Sequence, residues 1–141
     1  MAARVIVIAV AVAVIVFGVA HLHRDRTCEH AHYQLLYALA HHTQPPGGLD
    51  DQLQKLTDNC DDPVALEGIS ILLTASGRPG RAVALANLAI RRDPRSQVGY
   101  AALAQALDRT DPAGAARARA KVAQLNPRGA VGEAPGHVGI R

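Results

Sequence analysis

The stretch Ile69–Pro94, ISILLTASGRPGRAVALANLAIRRDP, leaves room for little except two antiparallel helices. Leu66, Ile69 and Leu73 fall on one face of the first helix. In the second, Ala82, Leu85, Ala86, Ala89 and Ile90 recur at intervals of three and four, the pattern of one buried helical stripe. Between them sits SGRPG. Gly77 can take the left-handed backbone that ends a helix, and Pro79 suits the first turn of the next. The small alanines let the two backbones approach closely where they cross. Asp93-Pro94 stops the hairpin, because proline disfavours helix at the residue before it.

A second hairpin follows. Asp62 and Pro63 open the first one in the cap and first-turn positions that each favours. Beyond Pro94, Tyr100, Leu103, Ala104 and Leu107 repeat the first-helix pattern. Asp111-Pro112 starts a last helix carrying Ala116, Ala120 and Ala123 as its stripe, with Ala118 expected on the exposed side, and Asn126-Pro127 ends it. No segment reads as a strand, so the fold class is all-α. These hairpins resemble the tetratricopeptide (TPR) repeat family. The family's large first-helix residue matches Leu66, its small pair falls on Ile69 and Ser70, and its glycine matches Gly77. Its three spaced small or aromatic positions match Ala82, Ala86 and Ala89, and its closing proline matches Pro94. Pro94 and Pro127 lie 33 residues apart, one short of the family period of about 34, so one residue is missing from the second repeat. The resemblance implies a short α-solenoid of antiparallel hairpins over 63–127, with a concave groove lined by the first helix of each hairpin. Glu67, Ile71, Thr74, Ala101, Gln105, Asp108 and Arg109 are then the groove positions. The lysine and asparagine with which some members hold a peptide's terminal carboxylate are absent from them.

At the other end of the chain, Val5–Ala20, VIVIAVAVAVIVFGVA, carries no charge and no strongly polar group. Sixteen helical residues rise about 24 Å, slightly short of a hydrocarbon core of about 30 Å, and Leu22 with snorkelling Arg4 and Arg24 closes the gap. Residues 1–23 therefore read as a single-pass transmembrane anchor, or as a signal peptide cleaved after Gly18-Val19-Ala20. No proline or glycine interrupts the chain between Val19 and Gln44, so the apolar helix can run straight on into the next. Residues 24–62 read as an N-terminal hairpin. Its first helix starts at a Thr27 cap and buries Tyr33, Leu36, Tyr37 and Ala40, reinforced by Leu35 and Leu39. Gln44-Pro45-Pro46-Gly47-Gly48 breaks it. The second helix starts at an Asp50 cap and shares Leu49, Leu53, Leu56 and Cys60 along one face. This hairpin lacks the spaced alanines and supplies a third, degenerate unit. Residues 128–141, rich in glycine, read as a disordered tail. With no Trp, one Phe and three Tyr in the chain, the core is built from alanine and leucine and is thin.

Cys28 opens the first soluble helix and Cys60 closes the second, and the turn between folds the two antiparallel. That geometry brings the cysteines within disulfide reach. The alternatives are two buried thiols or a zinc site completed by His32, four residues from Cys28 on the same face. No paired Cys-x-x-Cys or His-Glu-x-x-His spacing supports zinc, and no cofactor motif is present. The acids Asp58, Asp61 and Asp62 cluster at a helix junction, where capping explains at least one of them, and do not read as a catalytic pair. Ser70, Thr74 and Ser76 have no histidine nearby in sequence, and no glycine-rich phosphate loop follows a strand, so enzymatic activity is not expected.

Charge is unevenly placed. From Asp25 to Glu67 eight acids face only Arg26 and Lys55, whereas from Arg78 to Arg128 ten bases face only Asp93, Asp108 and Asp111. The two halves read as solvated faces, or the basic half as a surface for an anionic partner of unknown identity, such as an acidic protein, lipid headgroups or a wall polymer. Nucleic acid is disfavoured, since no aromatic side chains are interleaved with the arginines. The sequence thus predicts a membrane-tethered, extracytoplasmic TPR-like scaffold that binds other proteins. The alternatives are a secreted form after signal cleavage, a self-assembling structural protein joined through its acidic and basic ends, and a small Cys/His metal-binding protein.

Overall fold

In the computed structural model the described residues are 2–127, with side chains from Val12 onward, and they form helices without a strand. The all-α expectation holds. The helices are α1 (Ala2–Ala40), α2 (Leu49–Asn59), α3 (Pro63–Ala75), α4 (Pro79–Arg92), α5 (Gln97–Leu107) and α6 (Pro112–Leu125). The chain divides into two compact units, Met1–Asp61 and Asp62–Arg141. The tail expected over 128–141 lies outside the described residues.

The first unit is α1 packed on α2. With no proline in its interior, α1 runs 39 residues without a break. Thr27 is therefore not a cap: it lies mid-helix, and its hydroxyl donates to the His23 carbonyl at 2.9 Å. Just past the end of α1, His42 takes a left-handed φ of 53°, while Thr43 N–H donates back to the Ala38 carbonyl at 2.8 Å. That six-to-one bond closes a helix end where glycine is the usual occupant. Asp50 is not a cap either. α2 begins at Leu49, two residues before an Asp50 cap would start it; Gly48 takes the cap position without a side-chain bond, and Asp50 and Asp51 stand in the first turn, where the helix dipole favours acids.

The buried stripe of α1 also differs from the expected one. Tyr33 and Leu36 are 63% and 43% exposed, and Tyr37 and Ala40 face solvent as well; Ala31, Leu35, Ala38 and Leu39 are buried instead. The disulfide between Cys28 and Cys60, with Cα atoms 4.8 Å apart, supplies the reason. It turns the Cys28 side of α1 towards α2, and Ala31, Leu35 and Ala38 follow Cys28 at intervals of three and four. Tyr33, Leu36 and Tyr37 then fall on the opposite side. On α2, Leu53, Leu56 and Cys60 are buried as the sequence suggests.

The expected transmembrane helix is not supported: among the described residues no helix is long and apolar enough to cross a membrane. Positions 5–11 of the apolar run lie outside the described side chains. From Val12 on, the run is helical and open to solvent, with Phe17 74% exposed.

The second unit stacks α3 on α4, α4 on α5 and α5 on α6, with α3 also touching α5. Three of its helices start on side-chain caps: Asp62 accepts from Val64 N–H at 2.9 Å, Ser96 from Gly99 N–H at 3.0 Å, and Asp111 from Gly114 N–H at 2.8 Å. Gly77 takes φ 74°, and Arg78 N–H donates to the Leu73 carbonyl at 2.8 Å, ending α3 as anticipated. Leu66, Ile69 and Leu73 are buried together with Ala82, Leu85, Ala86 and Ala89, and Ile90 is half-buried. Where α3 meets the start of α4, the buried Ser70 hydroxyl donates to the Ala82 carbonyl at 2.9 Å. A longer side chain at either position would push the helices apart.

The second hairpin corrects the expected stripe of α6. Gly114, Ala115 and Ala118 are buried, whereas Ala116, Ala120 and Ala123 are exposed. The cap residues Asp62 and Ser96 are 34 positions apart, but the first-turn prolines Pro79 and Pro112 are 33 apart. The missing residue thus falls between Ser96 and Pro112. Every position of α6 is shifted by one, which rotates its buried face by about 100°. A direct check is the urea midpoint of two variants. Ala118→Arg should lose about 1–3 kcal/mol, because a long charged side chain replaces a methyl group at a 5% exposed site. Ala120→Arg should stay within about 0.5 kcal/mol of the parent. Equal losses would contradict this register.

Candidate functional site

The expected groove residues do not act as one surface. Glu67 is 4% exposed and turned into the second unit, where it accepts a hydrogen bond from the Ser96 hydroxyl. The same Ser96 oxygen accepts from Gly99 N–H and so caps α5. Gly99 permits this arrangement: a Cβ there would stand 3.2 Å from the Glu67 carboxylate and 3.1 Å from Ile90. Glu67 is therefore a tie between α3 and the start of α5. Ile71 is half-buried and Ala101 is exposed.

Thr74, Gln105, Asp108 and Arg109, in contrast, are brought together around one open depression of about 520 Å³ in the second unit. The end of α3 supplies Thr74 and Ala75, the following turn supplies Gly77 and Pro79, and the end of α5 supplies Gln105 and Ala106. Thr74 donates its hydroxyl proton to the Ser70 carbonyl at 3.1 Å, which leaves the oxygen's lone pairs for a donor from outside. Asp108 is engaged by Arg119 of α6, so its charge is compensated. Arg109 is exposed and makes no ion pair among the described residues. The depression thus combines an available guanidinium, an amide able to donate and accept, and a small apolar floor at Ala75, Ala106 and Pro79. Such a mixture suits an extended peptide with an acidic side chain. Gly77 and Pro79 were read only as turn residues. Their closeness to Gln105 depends on how the hairpins stack, which no local pattern reports.

The zinc alternative loses its ligands, because both sulfurs are joined in the disulfide. Among the described residues no group of three or more His, Cys, Asp or Glu is arranged to hold a metal ion. No family model, curated protein or solved structure matches this chain.

The Ser96–Glu67 tie is open to a double-mutant cycle. Ser96→Ala removes a cap worth about 0.5–2 kcal/mol and also leaves the buried Glu67 carboxylate without its hydroxyl donor. It should cost more than the exposed cap variant Asp62→Ala, by about 1 kcal/mol or more. In a Glu67→Gln background the excess should shrink. An unchanged cost of Ser96→Ala in both backgrounds would remove the tie from the account.

Proposed function

We propose that this chain is a membrane-tethered interaction module: a TPR-like pair of hairpins that holds an acidic protein segment, presented by an N-terminal helix outside the cytoplasm. The observation that carries the binding half is the depression where Thr74, Gln105, Asp108 and Arg109 meet. The tether half rests on the uncharged run Val5–Ala20. A helix apolar on all sides is ill suited to water and well suited to lipid. The disulfide favours an oxidising compartment, where such bonds persist. Secretion after cleavage near Ala20 is the competing reading of the same run.

The test uses the full chain in its native membrane with a photo-crosslinking residue at Gln105 or, as a control, at exposed Arg91 on α4. Gln105 should yield a protein adduct that Arg91 does not, and Arg109→Glu should reduce its yield severalfold. Equal adducts at both sites would overturn the groove. Intact mass and carbonate extraction of the same material decide the tether. An uncleaved chain in the membrane pellet is expected, and a mature form beginning near His21 in the soluble fraction would overturn it.

A further inference from the structure

We infer that the depression between α1 and α2 is a binding site for a phosphate group that still carries a proton, as inorganic phosphate and phosphate monoesters do. α1 supplies His23, Arg26, Thr27 and His30 to it, and α2 supplies Gln52 and Lys55, around an open volume of about 450 Å³. Steps of three and four along α1 place its four residues on one helix face, and Gln52 and Lys55, three apart, share a face of α2. No carboxylate lines the depression. It lies wholly within the first unit, apart from the depression proposed for a protein segment.

Arg26 supplies the charge. It is exposed and makes no ion pair among the described residues, whereas Lys55 is held by Asp51 at 2.7 Å. A guanidinium can hold two oxygens of one oxyanion at once. His23 and His30 flank Arg26 about a turn to either side, each with a ring N–H to donate.

Gln52 identifies which oxyanion. It is 4% exposed, and its Nε2 donates to the Pro46 carbonyl at 2.6 Å, which orients the amide. Its Oε1 is buried and accepts no hydrogen bond among the described residues. An acceptor left unpaired in this way is costly, and a ligand that brings its own donor removes the cost. Thr27 is a second acceptor, because its proton goes to the His23 carbonyl and leaves the oxygen's lone pairs. A phosphate P–OH can donate to such groups while Arg26 holds the charged oxygens. Sulfate, a phosphate diester and an ionised carboxylate carry no such proton, so the acceptors select against them. A slight turn about the soft terminal torsion of Gln52 brings Oε1 to the ligand. The group can come from a soluble phosphate or from a monoester lipid headgroup. Arg26 lies about 9 Å along the helix beyond Ala20, where the apolar run ends. The lipid source rests on the tether reading.

Titration calorimetry of the full chain in uncharged detergent tests this, at about pH 6, where a phosphate monoester keeps a proton. The titrants are sodium phosphate, sodium sulfate, and the short-chain lipids phosphatidic acid, a monoester, and phosphatidylglycerol, a diester. Phosphate should bind saturably, and sulfate about tenfold more weakly or not at all. Arg26→Gln should cut the phosphate affinity about tenfold. Arg24→Gln, which removes the same charge from the side chain paired with Asp61, should leave it unchanged. Gln52→Met should bring phosphate down to the sulfate value, and the comparison of the two arginine variants stands whether or not Gln52→Met folds. Phosphatidic acid bound more tightly than inorganic phosphate, or in its place, assigns the site to a lipid headgroup, and equal affinities assign it to a soluble phosphate. Binding of neither, no preference for the protonated member of each pair, or equal losses in the two arginine variants would overturn the site. A soluble mature chain that still prefers phosphate to sulfate would remove the tether and the lipid source and leave the site.

Discussion

The Cys28–Cys60 disulfide is the constraint on which the first unit depends. Two helices of unequal length, joined by a proline- and glycine-rich turn, have few large apolar side chains to fix their packing. Leu35 and Leu56 are its fully buried leucines. Burial of each is worth about 1.5–3 kcal/mol. Closing a loop with a sequence separation of 32 contributes roughly 3–4 kcal/mol in the chain-entropy model. The cross-link thus matches the pair of leucines in size, and it also decides which way α1 faces. With Cys28 turned inward, Tyr33, Leu36 and Tyr37 must face out.

The second unit is held differently. Its helices cross on alanines, and close approach makes backbone and short side chains the contact groups. Ser70 reaches the Ala82 carbonyl directly, and Ser96 joins the Glu67 carboxylate to the first turn of α5. These polar ties are buried, so losing one partner strands the other, and they specify stacking where large apolar side chains are scarce. The depression proposed for binding lies where α3 and α5 end beside each other. The stacking that Glu67 helps to fix therefore also sets the spacing between Thr74 and Gln105.

Local chemistry was readable from the sequence and rotational phase was not. Asp62 and Asp111 cap as expected, each followed by a first-turn proline, whereas Thr27 and Asp50, with no proline after them, lie inside their helices, and the Ser96 cap had no such marker. Gly77 ends α3 for want of a Cβ. The cysteine pairing followed from two helix ends meeting across a turn. The stripe of α1 was misread because Tyr33, Leu36 and Tyr37 form as good an apolar pattern as Ala31, Leu35 and Ala38, and hydrophobicity alone ranks the tyrosines higher. In α6, alanines are so dense that Ala116, Ala120 and Ala123 repeat as well as Ala115 and Ala118. Only placing the missing residue ahead of Pro112 separates the two. Thr74, Gln105, Asp108 and Arg109, expected from the repeat resemblance, line one depression. Glu67 was misplaced because its partner, Ser96, lies 29 residues away.

If a single bond sets the phase of α1 and holds the first unit together, its redox state in the native compartment is the central quantity. Protein taken from that compartment without reductant, denatured and treated with a thiol-alkylating reagent, gives the answer by mass. The account predicts no label before reduction and two after it, on Cys28 and Cys60. Two labels before reduction would contradict it, and would remove the reason for α1 to turn its tyrosines outward.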